Sequence, residues 1–291
     1  MKRLFVFCFS CAFFLCSQIR RLYPRMIGRR EPGTCVVLQY HAIPVEQRTK
    51  FARQMEVVQR YATPVSADSM ARLAMSRHHV AVTFDDGLTS FVENALPELE
   101  KRNIPAVVFV VVGRLGSVPA WARYFSDSAW TSGPSIASAE RMLTAEQLRE
   151  LDGRVTIGSH SLTHQMLPEL DQAEAMREIE GSRQQLEAIL GNRVTLFSLP
   201  YGAFAKDVLL YCKHAGYERV FTVEPKLAFS DPQEFVSGRV SVDPTDWALE
   251  FRLKLTGYYR WLPYAVGAKR MLFRTLGFGS HRKRHRGRAE M

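Results

Sequence analysis

Cysteine is scarce where it would matter. The 291-residue chain has five, and Cys8, Cys11 and Cys16 fall in the apolar N-terminus, leaving Cys35 and Cys212 in the body. Two scattered cysteines make neither a disulfide framework nor a zinc-finger spacing, and they read as small buried apolar residues. Acid is missing from both ends. Residues 1–30 hold seven Lys or Arg and no Asp or Glu, and residues 260–291 hold nine against Glu290 alone. The remainder carries 23 basic and 28 acidic residues, so the net charge of +10 belongs to the ends. That charge gives no support to a nucleic-acid-binding core, and no RNA-binding aromatic motif supports one either. A full membrane span is lacking too. The apolar run at residues 4–17 falls short of the roughly 20 residues a span requires. No small-x-small cleavage pattern closes it, and Arg20, Arg21 and Arg25 follow. A signal-like or anchoring segment is expected there, giving membrane association or export, with the side of the membrane open.

What is present is a regular alternation. An apolar fraction of 46% suits a globular chain. "TCVVLQY", "HVAVTF", "IPAVVFVVV", "RVTIGS", "RVTLFS" and "ERVFTV" read as buried strands. Amphipathic patterns lie between them at residues 49–60, 88–102, 144–151, 171–190 and 204–215, the fourth closed by Gly191-Asn192. Strand–helix alternation implies an α/β fold with a parallel sheet or a closed barrel. The expected division is an N-terminal segment at 1–30, one catalytic domain at 31–259, and a basic helix and tail at 260–291. One connection, residues 113–142, is unusually long and carries Trp121, Tyr124, Phe125 and Trp130. Those rings suit either stacking on sugars or pinning the loop to the body.

The stretch "AVTFDDG" ends an apolar run with Asp85 and Asp86 side by side. Adjacent carboxylates repel, so a pair at a strand end needs a reason. Sites in α/β folds gather beyond the carboxyl ends of the strands. His41 follows one run, the aspartates a second, His160 and His164 a third, and Pro200-Tyr201-Gly202 a fourth. Singly, each has a bland explanation, a hydrogen-bonded histidine or a tight turn. Together they converge on one mouth. The His-x3-His spacing of "SHSLTH" plus a carboxylate is a face for a divalent metal, with positions left for water and substrate. One aspartate then binds the metal while its neighbour takes a proton from water.

These residues resemble a known family. "TFDDG" at 83–87, "SHSLTH" at 159–164 and "FSLPYG" at 197–202 look like the successive motifs of the NodB-homology polysaccharide deacetylases, carbohydrate esterase family four. The resemblance spans residues 34–256, and "LQYHAIP" at 38–44 is similar to the branch acting on poly-N-acetylglucosamine. It implies a distorted, incomplete (β/α) barrel. It implies that Asp85 is the general base, that Asp86, His160 and His164 bind a divalent metal (zinc, with nickel or cobalt as alternatives), and that His41 is the general acid. The Tyr201 N–H would face the oxyanion. The third motif of the family often opens with an arginine that orients the base, where this chain has Ser198. Arg239, in "VSGRVSV", is the candidate to supply that charge from another strand. Asp246-Trp247 resembles a late family motif, but its setting before "ALEFRLKL" reads as a helix cap and a packing indole. His78 and His79 precede their strand and belong at the far end.

The expected partner is an N-acetylated glycan, with no nucleic acid. An anionic membrane surface is a further expected partner, reached through the N-terminal run and the basic stretch 258–291. Two other readings stay open: a glycan-binding member of the fold without catalysis, and a 2-His-1-carboxylate iron enzyme.

Overall fold

The computed structural model describes residues 2–26, 32–68, 73–119, 121, 140–231 and 233–265. Tyr124, Phe125, Trp130 and the basic stretch 266–291 lie outside them. Among the described residues, nine parallel strands form one sheet in the order β8-β7-β6-β5-β4-β3-β1-β9, with β2 beside the start of β3. They are β1 (Thr34–Tyr40), β2 (Thr63–Pro64), β3 (His78–Phe84), β4 (Ala106–Val110), β5 (Thr156–Ser159), β6 (Leu196–Ser198), β7 (Arg219–Phe221), β8 (Val236–Ser237) and β9 (Val240–Ser241). The two ends of that order are consecutive pieces of one segment. β8 pairs with β7 and β9 with β1, while only Gly238 and Arg239 separate them in the chain. The sheet therefore curls back on itself as a distorted, incomplete (β/α) barrel.

Helices cover the outside: α2 (Arg48–Tyr61), α3 (Leu96–Glu100), α4 (Ala145–Leu151), α5 (Gln172–Leu190), α6 (Lys206–His214) and α7 (Ala248–Leu255). The longest of these, α5, starts where its sequence says it should. The Asp171 carboxylate accepts from the Glu174 N–H, Glu174 reaches back, and Gly191 closes the helix at φ +72°. Val36, Leu38, Tyr40, Val82, Phe84, Val108 and Phe197 pack outward against the helices. The alternate positions Val37, Ala81, Val107, Phe109, Leu196 and Phe221 fill the interior. Gly158 belongs to that inner set, since a Cβ there would meet the Phe109 ring at 2.5 Å.

The first helix, α1 (Lys2–Met26), lies along α7. Arg3 pairs with Glu250 at 2.6 Å, Phe7 meets Trp247 edge-on, and Phe14 does the same with Tyr258. The indole N–H of Trp261 donates to Ser10 and the Gln18 amide donates to the Tyr258 hydroxyl. Among the described residues, no helix is long and apolar enough to cross a membrane. Tyr258, Tyr259 and Leu262 are buried against the body.

Two local expectations need correction. Asp246 is not a cap: it takes two hydrogen bonds from Lys254, and Trp247 occupies the N-cap position with its N–H toward Glu250. His78 and His79 do not precede β3 but begin it, because β1 extends the pairing down to Thr34. They do lie at the end away from the carboxyl termini, where His78 bridges the Thr34 hydroxyl and the Leu255 carbonyl.

Candidate metal and catalytic site

Strand alternation carries the site. Continuing the inner face of β1 upward gives Gln39, of β3 gives Thr83 and Asp85, of β5 gives His160, and of β6 gives Ser198. The break between β8 and β9 adds Arg239, which is fully buried and stands over the Phe109 and Phe221 rings at 5.3 and 5.8 Å.

Asp85 is held on several sides. Arg239 donates from Nη1 to Oδ1 at 2.7 Å and from Nη2 to Oδ2 at 2.8 Å, a two-pronged grip. Oδ2 also accepts from the Gln39 amide at 2.7 Å and the Ser198 hydroxyl at 3.2 Å. The Ser198 hydroxyl in turn accepts from Arg239 at 2.7 Å. Serine at the third motif thus bridges the base and an arginine from elsewhere that also grips the base directly. Burial alone pushes the Asp85 carboxyl up. The Arg239 charge, with His160 and His41, outweighs it and keeps the group well below the usual carboxylate range.

Asp86 has the opposite surroundings. Its left-handed backbone, φ +73°, turns it away from its neighbour, a conformation aspartate tolerates. Both carboxylate oxygens are buried and neither has a hydrogen-bond partner of good geometry, the Trp121 indole N–H, itself unpartnered, acting on the group only from nearby. Burial first, and then the Asp85 charge, pushes this carboxyl up to about 8. What surrounds it is imidazole: His160 Nε2 at 3.7 Å and His164 Nε2 at 3.5 Å. One ligand atom from each of the three residues falls within a 4.8 Å cluster.

The histidines are prepared as ligands. The Ser198 carbonyl can only accept, so the 2.7 Å contact from His160 Nδ1 puts the proton there and leaves Nε2 its lone pair. Burial lowers the pKa of both rings, with the His160 charge adding to the effect on His164, so they are neutral near pH 7. Their loop is pinned from behind by Glu178 of α5, which accepts from the Leu162 and Thr163 N–H groups. Ser161 and His164 adopt positive φ there, as Tyr201 does across the mouth. Such backbone persists where the surroundings dictate it.

A buried carboxylate with no donor, facing two neutral imidazoles, lacks a positive charge. Nitrogen and oxygen donors in this number fit zinc, and also nickel, cobalt or iron.

Trp121 closes one side, stacked on His164 at 4.3 Å. The Tyr201 ring meets His164 edge-on at 4.6 Å from the turn Pro200–Gly202 and is 41% exposed. His41 is half-buried just beyond β1, its pKa lowered by burial to about 4. His41, Asp85, Asp86, His160, His164, Tyr201 and Arg239 thus meet at one mouth. Gln39, Thr83 and Glu178 were not among them. Counting back two positions from His41 and from Asp85 along their strands would have found the first two.

A model of the polysaccharide deacetylase family matches residues 72–220, half of the chain. The chain belongs to the polysaccharide deacetylase family. Among curated relatives of this deacetylase domain, the polysaccharide-deacetylase-like protein YxkH of Bacillus subtilis (strain 168) is 25% identical over 230 residues, 75% of each chain. A chitooligosaccharide deacetylase of Azorhizobium caulinodans is 27% identical over 158 residues, 54% of this chain and 64% of that one. Among solved structures, IcaB from Ammonifex degensii aligns with a TM-score of 0.61 at 22% identity, over 79% of this chain and 98% of that one. At that identity the likeness speaks for the barrel, and the family match makes the protein a hydrolase of the polysaccharide deacetylase class.

Proposed function

We propose that this deacetylase removes N-acetyl groups from a glycan containing N-acetylhexosamine, using a divalent metal, with zinc first and nickel or cobalt as alternatives. One observation carries the reading: two adjacent aspartates are sorted, Asp85 gripped by Arg239 and Asp86 left without a donor between two imidazoles. The similarity to a chitooligosaccharide deacetylase supports the substrate class.

Asp86, His160 and His164 would hold the metal, which supplies Lewis acidity toward oxygen when bound. Asp85 accepts the proton of the attacking water. Its Oδ1 takes one hydrogen bond against three at Oδ2, so Oδ1 has the spare accepting capacity. Arg239 and Gln39 fix the plane of that carboxylate, which costs nothing at the moment of reaction. The Tyr201 backbone N–H is assigned to the oxyanion. His41 gives a proton to the leaving nitrogen. It is neutral at rest, so the proton it delivers must reach it within the catalytic cycle. An iron oxygenase would leave the Arg239–Asp85 pair and His41 without a task.

Acetate release from chitooligosaccharides and from poly-N-acetylglucosamine, measured with metal content on the same sample, tests this reading. Release that tracks divalent metal supports it. Tight glycan binding with no acetate from either polymer favours the non-catalytic alternative.

A further inference from the structure

The N-terminal helix has two faces, and the body of the protein uses one. Arg3, Phe7, Ser10, Phe14 and Gln18 recur every three or four positions and meet α7 and the residues after it. The other side carries Leu4, Phe5 and Leu15, which are 56%, 67% and 62% exposed, with Phe9 at its edge where its ring meets Trp261 at 4.2 Å. Cys8, Ala12 and Cys16 are exposed between them. Three large apolar side chains on one face of one helix, flanked by Phe9, are more than scattered surface residues.

We infer that α1 lies flat in the headgroup region of an anionic lipid bilayer while it stays docked on the barrel. Charge selects lipid over a second copy of this chain. Apart from Arg3, which pairs with Glu250, the helix sequence holds Lys2, Arg20, Arg21 and Arg25 and no acid, so two copies packed together would gather cations without counter-charge. Anionic headgroups supply that charge.

Docking also decides between lying and spanning. Arg3 donates to Glu250 and stands 3.6 Å from Asp246, and both acids are nearly buried, with Lys254 as their other cation. Lifting α1 off to cross a membrane would leave two buried carboxylates sharing one lysine. α1 is thus a part of the folded body that carries a lipid-facing surface. This inference does not depend on the reaction.

Co-sedimentation of the full chain with vesicles tests it, comparing equal parts phosphatidylcholine and phosphatidylglycerol with phosphatidylcholine alone. The variant Leu4→Ser/Phe5→Ser/Leu15→Ser should bind the mixed vesicles about a hundredfold more weakly and melt like the parent. Phe7→Ala, on the docked face, should melt lower. The parent should prefer the mixed vesicles, more so at low salt. The inference is overturned by parent-like binding of the triple variant, by equal binding to both vesicle types, or by a lipid-free dimer that the triple variant dissolves.

Discussion

Arg239 donates both Nη groups to Asp85 across 154 residues of sequence, and the contact is closed to solvent on both sides. It is the strongest electrostatic commitment in the site. Breaking a buried pair by removing one partner typically costs about 3–5 kcal/mol, because the other charge stays behind. Arg239→Gln should therefore destabilise the protein by about that much in urea unfolding. Arg239→Gln/Asp85→Asn should recover a good part, since no buried charge remains. Equal losses in the single and double variants would show that the pair contributes shape and little charge.

The sorting of the two aspartates makes opposite predictions for two conservative changes. Asp85→Asn keeps the shape and the metal and loses turnover. Asp86→Asn and His164→Ala lose the metal along with turnover. Elemental analysis beside acetate release separates them. Full metal occupancy in His164→Ala would remove that histidine from the ligand set.

For His41 the substrate is the diagnostic. General acids contribute about a hundredfold to ten-thousandfold. His41→Ala should show a loss of that size on an acetamide, whose amine leaves poorly, and a much smaller one on an activated acetyl ester. Equal losses would reassign His41 to positioning.

Protein stripped of metal should be most stable near pH 6.5 to 7. Burial holds His41 at about 4, and His160 and His164 also below their ordinary 6.5. A histidine with a depressed folded pKa takes up its proton sooner in the unfolded chain, so stability is lost as pH falls below 6.5. Asp86, raised to about 8, works the other way: the folded chain holds its proton longer, and stability is lost as pH climbs toward 8. Of these four groups, Asp86 is the one that still acts well above 6.5. Asp86→Asn should flatten that alkaline limb in thermal melts, and an unchanged limb would contradict the assignment.

Long buried runs and capped helices were legible in the sequence. β1 occupies the run read for it, Thr34–Tyr40, and α5 is closed by the glycine that announced its end. β2 was not among the strands read, because two residues carry no period, and "VSGRVSV", read as one later strand, is β8 and β9 with a break between them. Gln39 escaped for a related reason: a strand apolar on both faces does not reveal which residues look inward. Ser198 read as a missing arginine because its partner comes from a later break in the sheet. That the N-terminal run also packs on the body was not legible, since Glu250, the partner of Arg3, lies at the far end of the chain.

Beneath the site the barrel is stoppered. Phe109, Phe221, Val37, Val107 and Leu196 close the interior under Arg239, so the mouth is both entrance and exit. In the proposed reaction an acetyl group that has reached Asp86 sits on the blind side, with the sugar between it and the outside. The two products then leave in a fixed sequence, glycan before acetate, and a small acid lingering in the emptied pocket competes with the next chain for the same seat.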